Sequence, residues 1–168
     1  MCSGPLFVGL VSLGCLFREE VPRVLPVCRA AGLGVVLLST DEPYAAECIA
    51  RKSGLLADRD VLRILPAGEG QEGAEWRAAL SRQTAPVAGR GPAVGASVVV
   101  SSRALADFDE HDWAVLFHRD LAREAVVIAE VSLGNSQRWK AEVVSRLRRK
   151  GHCVAMVGET LDNAEAMM

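Results

Sequence analysis

The sequence predicts a three-layer, Rossmann-like α/β domain with a mostly parallel sheet. Short apolar runs of strand length alternate along the chain with longer segments in which apolar residues recur at helical spacing. Polar loops follow two of these runs, at residues 39–43 and 158–163. Parallel sheets place their loops and ligand sites where the strands end. This alternation is typical of helical crossovers between parallel strands.

Composition narrows the class of protein. The 168 residues suffice for one domain with its own core, half of them are hydrophobic, and the net charge is −2. This balance fits a soluble globular protein and argues against a nucleic-acid partner. No run of 18 apolar residues occurs, so we expect no membrane-spanning helix and a cytoplasmic location. The N-terminal 16 residues have no Lys or Arg before their apolar part, which favours a strand over a signal peptide.

The cysteines give no support for a metal or redox site. They are odd in number, and no two have the CxxC spacing of zinc and redox motifs. We therefore expect buried, reduced thiols, as in a cytosolic protein. The five cysteines are Cys2, Cys15, Cys28, Cys48 and Cys153.

In the first half of the chain, the apolar pattern predicts two strands and two helices. The strands are expected at residues 6–13 and 34–38. The first helix should begin at Val21, after two acidic residues and with a proline in its first turn. The second should open at Pro43 and stop at Ser53 and Gly54.

The second half begins with a change of character. Nine of residues 66–96 are Gly or Pro, which predicts a flexible surface insertion, with a short helix at 76–80. Strands are expected at 97–101, 125–131 and 153–157. Asp109 and Ser136 are predicted to cap two further helices. The apolar faces of these helices are Trp113, Leu116 and Phe117 in the first, and Trp139, Val143, Val144 and Leu147 in the second.

Several segments, in order, resemble one family. Residues 7–12 (FVGLVS) are similar to FVGLIS, 38–43 (LSTDEP) to VTGDHP, 151–158 (GHCVAMVG) to GAIVAVTG, and 157–163 (VGETLDN) to TGDGVND. These motifs are those of the α subunits of P-type ATPases of the sodium/potassium and gastric proton/potassium type. The match covers most of the chain and falls in the part of the phosphorylation domain that follows the nucleotide-binding insert.

The resemblance implies a haloacid-dehalogenase-like fold and a phosphate site. In these pumps an Asp of a DKTGT motif attacks the γ-phosphate of ATP, and neighbouring Thr, Gly and Lys residues stabilise the phosphate charge. The positions carried over to this chain as phosphate-site remnants are Ser39, Thr40, Asp41, Lys140 and Gly158. The positions of the magnesium loop are Glu159, Asp162 and Asn163, where the family has Asp, Asn and Asp. The longer Glu159 strains a tight octahedral Mg²⁺ site, so the metal set is degenerate.

The sequence contains no DKTGT and no nucleotide-binding domain. The resemblance places the DKTGT strand centrally, between the strands that end near Ser39 and Val157. We therefore expect residues 1–168 to form one partial phosphorylation-like domain that lacks the nucleophile strand, with apolar surface and strand edges left open. A homo-oligomer or a protein partner would cover them. Two acidic segments could be considered as substitutes for the nucleophile. We interpret residues 58–60 as a turn and residues 107–109 as the start of a helix, so no catalytic residue is expected to be intact.

Three functional hypotheses remain open at this point. The first is a non-catalytic relic or truncated isoform that acts through protein binding and has no cofactor. The second is a fragment of an ATP-driven cation pump of the plasma membrane, in which missing parts supply the nucleophile, the ATP and Mg²⁺ sites and the membrane helices. The third is a small phosphatase, which the missing nucleophile disfavours.

Overall fold

A computed structural model describes residues 7–11, 17–56, 61–64, 97–117, 121, 125–129, 137–158 and 167, and every statement below concerns these residues. These residues contain four helices, four strands and one 3₁₀ turn. In chain order they are α1 (Val21–Ala30), β1 (Val36–Ser39), α2 (Pro43–Lys52), β2 (Val61–Ile64), β3 (Ser97–Ser101), the 3₁₀ turn Ala104–Asp107, α3 (Glu110–Phe117), β4 (Val126–Ala129) and α4 (Gln137–Arg149).

The four strands form one sheet in the order β1-β4-β3-β2, and every pair is parallel. The register aligns Leu38, Ile128 and Val100 in one row. The predicted parallel α/β architecture of Rossmann-like type is therefore confirmed. Within the described residues, β1 and β2 are the two edge strands.

Apolar side chains cover both faces of the sheet. On one face, Val100, Val126 and Ile128 pack with residues of α3 and α4, and we call this the first cluster. On the other face, Val99 and Val127 pack with Ala46 and Ala50 of α2 and with Leu25 of α1, and we call this the second cluster. Strand side chains alternate between the faces, so the continuous valine run of β3 serves both clusters. The result is a sheet between two helical layers.

The helices begin and end at the residues that the sequence indicated. Proline lies in the first turn of both α1 and α2, where a missing N–H costs no helical hydrogen bond. At α3, the N–H of Asp112 donates to Asp109 Oδ1 (2.8 Å) and the N–H of Asp109 donates to Asp112 Oδ2 (3.1 Å), a reciprocal cap. Gly32, Gly54 and Gly151 follow α1, α2 and α4 with positive φ, as helix-ending glycines do. No described helix has the length and apolarity needed to cross a membrane.

Two predicted strands are wrong. Residues 7–11 of the expected strand 6–13 have no regular structure and are exposed, and residues 6, 12 and 13 lie outside the described residues. Residues 152–158 are also irregular, and Val157 is 91% exposed. A strand needs a hydrogen-bonded neighbour, and neither segment has one in the described part of the chain. Apolar sequence alone therefore did not make them strands.

One strand was missed. Only the turn at 58–60 was assigned in this region, yet Val61–Ile64 pairs with β3 at the second edge of the sheet. Arg63 interrupts the apolar run, so the sequence pattern did not indicate a strand. The charge of Arg63 is tolerated there because it pairs with Glu47, 16 residues earlier in the chain.

Two thiols also contradict the expectation that the cysteines are buried. Cys48 and Cys153 are exposed, and Cys28 is half-buried. Cys48 lies on the outer side of α2, and Cys153 lies in the irregular segment after α4, so neither reaches a cluster. Cys2 and Cys15 lie outside the described residues, as do Ser136, the 66–96 insertion, its predicted helix at 76–80 and the turn at 58–60.

An ion pair between a buried carboxylate and an exposed guanidinium links α2 to β2. Glu47 is 6% exposed and accepts two hydrogen bonds from Arg63, to Oε2 from Nε (2.7 Å) and to Oε1 from Nη2 (2.7 Å). Arg51, one turn along α2, donates from Nε to Oε1 at 3.0 Å. Burial by itself raises the pKa of Glu47, but the hydrogen bonds from Arg63 and Arg51 outweigh it, and the pKa lies below its ordinary value.

We expect Glu47→Gln to lower the free energy of unfolding by roughly 1–2 kcal/mol near neutral pH, because it removes charge-assisted hydrogen bonds. A carboxyl group whose pKa is lowered on folding stabilises the fold above its unfolded pKa, about 4.3 for Glu, and loses this contribution as the pH falls through the folded pKa. The difference between the wild type and Glu47→Gln should therefore be constant above about pH 5 and shrink below about pH 4.

Urea denaturation at a series of pH values measures this difference. Glu42→Gln, at an exposed position before α2 with no side-chain cap bond, is the matched control and should change little. A pH-independent loss in Glu47→Gln would contradict the role of the charge.

Candidate functional site at the carboxyl edge of the sheet

Three strands end level with one another at one edge of the sheet. Ser39 of β1 and Ser101 of β3 both pair with Ala129 of β4, so the three residues form a single row. This edge is where ligand sites form in open parallel sheets. Ser39 was predicted as a site residue, and the register shows that it lies two strands from Ser101.

The loop after β1 closes on itself. The Ser39 hydroxyl donates to Asp41 Oδ2 at 2.8 Å, and the Asp41 N–H donates to Ser39 Oγ at 3.1 Å. Thr40 and Asp41 are exposed. Asp41 does not cap α2, because the residue before the helix is Glu42, which makes no side-chain cap bond. Asp41 instead holds the Ser39 hydroxyl in place.

Lys140 is buried at 6% exposure in the first turn of α4. Its Nζ lies 5.7 Å from the centroid of the Trp139 ring, which is cation–π range. Helix α4 follows β4 in the chain, and in parallel α/β sheets the helix after a strand begins near the strand's carboxyl end. The place of Lys140 in the site and its contact with phosphate stay predictions.

The remaining predicted positions fall at the C-terminal end. Gly158 is half-buried at the close of the irregular segment 152–158. Glu159, Asp162 and Asn163 lie outside the described residues, so the magnesium set stays a prediction. In the part of the chain that the structure describes, no group of three His, Cys, Asp or Glu side chains could hold a metal ion.

Ser101 was missed as a residue of this edge. It is fully buried, and its Oγ accepts a hydrogen bond from the Arg103 N–H at 3.3 Å. A signal was available, because Ser101 closes an apolar strand just as Ser39 does. Sequence reasoning could not use it without the strand order that brings β1 and β3 to either side of β4.

None of the strands that the structure describes ends at a residue with a carboxylate side chain. The four described strands end at Ser39, Ile64, Ser101 and Ala129. Acyl-phosphate chemistry requires a carboxylate nucleophile held against the phosphate. The Ser39 hydroxyl donates its one proton to Asp41 and Ser101 is fully buried, so contact of either hydroxyl with an anion stays a prediction. Hydroxyl groups of this kind cannot form a covalent aspartyl intermediate.

Comparison with known proteins supports the resemblance seen in the motifs. The chain is 28% identical over 167 residues to the sodium/potassium-transporting ATPase subunit alpha-A of Artemia franciscana, covering 98% of this chain and 15% of that protein. It is 28% identical over 163 residues to the alpha subunit of Drosophila melanogaster and to the alpha-3 subunit of Rattus norvegicus, covering 96% of this chain and 14% of each. No protein-family model matches the chain. It thus resembles these subunits over nearly its whole length and spans about one seventh of theirs.

Proposed function

We propose that this chain, similar along nearly its whole length to sodium/potassium-pump α subunits, is a non-catalytic relative of their phosphorylation domain that acts through protein binding. One observation carries the proposal. Strand β1 has the surroundings of an interior strand but forms an open edge of the described sheet. A strand supplied from elsewhere would complete it.

The surroundings of β1 are apolar on both faces. Val36 and Leu38 pack against the first cluster, and Leu37 packs against the second together with Val35, just before the strand. All four residues of β1 are only half-buried, because one side of the strand is uncovered. Parallel strands covered on both faces are normally interior strands. The open edge of β1 therefore supports binding of an extended segment.

The proposal that the domain is non-catalytic rests on what the carboxyl edge lacks. Phosphoryl transfer through an acyl-phosphate needs a nucleophile, a magnesium carboxylate and groups that stabilise phosphate charge, together in one cleft. Among the described residues only the last class is represented, by Ser39, Lys140 and Gly158. The domain would accordingly need no cofactor, and Mg²⁺ and ATP would enter only as part of a complete pump.

We expect no acid-stable label when the protein is incubated with γ-labelled ATP and Mg²⁺ and then quenched in acid. The sharper form of the test is the triple variant Glu159→Asp, Asp162→Asn, Asn163→Asp, which rebuilds most of the family's magnesium loop. It should also remain unlabelled, because no aspartate occupies the attacking position. Protein unfolded before incubation is the control for nonspecific label.

Hydroxylamine-labile label on either folded protein would overturn the non-catalytic proposal, and mapping it would locate the nucleophile. Release of phosphate from a generic phosphate ester without stable label would instead favour a small phosphatase. That third hypothesis has no supporting contact at the described edge.

The comparisons favour a second candidate function. Relatives align with 96–98% of this chain but extend far beyond it, since the chain spans only 14–15% of their length. The chain would then be one segment of an ATP-driven cation pump of the plasma membrane, whereas the first proposal places it in the cytoplasm. Sequencing the full transcript decides between them. A DKTGT motif in frame upstream, with apolar helices encoded downstream, would establish the pump.

A further inference from the structure

The two edges of the described sheet differ in charge. At the β2 edge, Arg63 places a guanidinium on the strand and pairs with Glu47, a device that discourages further strand pairing. At the β1 edge, residues 30–40 carry no charged side chain. We infer that the β1 edge receives residues 7–11 of a second copy of this chain, exchanged reciprocally. This inference rests on the proposed function as a binding domain and names the partner.

The handedness of the crossovers supports this placement. Helix α2 covers the face of the second cluster and leads from β1 to β2 at the far edge, while α3 covers the first cluster and leads back from β3 to β4. Both connections therefore have the same hand, which is right-handed in nearly all proteins. Helix α1 lies on the same face as α2, through Leu25 and a hydrogen bond from Arg29 to the Leu55 carbonyl. A strand that precedes α1 with this hand lies on the open side of β1.

The apolar side chains of residues 7–11 suit a strand position on the open side of β1. A strand at that position would be covered on both faces, so it needs apolar side chains on both of its alternating sets. The segment FVGLV has them and carries no charge. Its four large side chains are 77–94% exposed, which leaves them available for pairing. They are Phe7, Val8, Leu10 and Val11.

The other exposed apolar segment is a poorer candidate, because its own chain holds it. In residues 152–158, the His152 N–H donates to the Leu147 carbonyl of α4 at 3.2 Å, and Val154 packs against the first cluster. Residues 7–11 make no strand pairing within the described part of the chain. Each copy therefore presents one uncharged segment that can add to a sheet, residues 7–11, and one uncharged strand edge that can receive it, β1. Two copies related by a two-fold axis would satisfy both edges at once, as in segment-swapped dimers.

The mass of the full-length protein in solution tests the inference. Sedimentation equilibrium over a range of protein concentrations should give twice the 17.9 kDa chain mass. The variant Val8→Lys, Leu10→Lys places charges on the donor and should raise the dimer dissociation constant by at least roughly 100-fold, given that buried unpaired charges are strongly disfavoured. The matched control is Val24→Lys, Val27→Lys, at positions 51% and 67% exposed on α1, and it should remain dimeric.

Hydrogen exchange at β1 separates the remaining outcomes. In the dimer, amides of Leu37 and its neighbours should exchange slowly, and they should exchange quickly in the lysine variant. The proposed swap of residues 7–11 between two copies is wrong if the wild type is monomeric. It is also wrong if the double variant Val8→Lys, Leu10→Lys remains a dimer. A monomer with fast exchange at β1 refutes only the second copy and leaves the proposed binding edge open to another protein. A monomer with slow exchange shows that the chain closes its own edge, which refutes both.

Discussion

Replacing Ile128 by Ala should lower the free energy of unfolding by about 2–5 kcal/mol, the range for large-to-small substitutions in a core. Ile128 is fully buried in β4, and its neighbours in the register are Leu38 of β1 and Val100 of β3. The substitution removes three carbons from the first cluster, and close-packed neighbours on two strands cannot collapse fully into the gap. We expect the melting temperature to fall by roughly 4–20 °C for a chain of this size.

Thermal and urea denaturation measure this loss. Val157→Ala is the control, because Val157 is 91% exposed and its truncation should leave stability nearly unchanged. Equal losses in the two variants would show that burial in the first cluster does not determine stability. Since Ile128 directly precedes Ala129 in the row with Ser39 and Ser101, the same variant should also loosen the carboxyl edge, which faster amide exchange at Ser39 would report.

The helices and the interior strands could be predicted from local sequence because their signals are local. Proline in the first turn begins α1 and α2, the Asp109 cap begins α3, and glycine follows three of the helices. The valine run of β3 predicts a strand that is covered on both faces. The structure confirms this strand at Ser97–Ser101, the predicted range. In each case the residues that determine the element lie within it or beside it.

Three strand assignments failed because local sequence did not determine them. Residues 7–11 and 153–157 have the apolar composition of strands, but a strand requires a neighbour, and its neighbour is set by contacts far along the chain. The opposite error occurs at β2, which was missed because Arg63 interrupts its apolar run. The strand tolerates this charge because Arg63 pairs with Glu47, 16 residues earlier. Both errors concern non-local contacts, which hydrophobic periodicity does not encode.

The candidate site shows the same division. Ser39 and Asp41 follow a predicted strand, so their position at the carboxyl edge could be expected, whereas the hydrogen bonds that join them required coordinates. Ser101 became part of the edge only through the strand order. The family resemblance contributed the expectation that a central strand is missing, and this expectation stays a prediction. Within the described residues, β1 is an edge strand.

Replacing Gly34 by Val should be nearly as damaging as the loss of Ile128. A Cβ atom at Gly34 would lie 2.5 Å from Leu121 Cβ and 3.3 Å from the Leu121 carbonyl carbon. Such contacts are far inside van der Waals distance, and Gly34 lies just before β1, so relief requires that the start of the strand move away from its neighbours. Overpacking of this kind typically costs about 1–3 kcal/mol and occasionally more, and we expect about 3 kcal/mol here because backbone atoms form part of the obstacle.

The double variant Gly34→Val, Leu121→Gly separates steric conflict from general sensitivity of this position. Leu121→Gly alone removes a half-buried side chain that packs against the first cluster, so it should destabilise the protein by itself. If the Cβ atoms conflict, the two losses will not add, and the double variant will be more stable than Gly34→Val alone. Strict additivity of the two losses in urea denaturation would mean that Leu121 is not the obstacle. The space beside Gly34 would then be restricted only by the backbone at the start of β1.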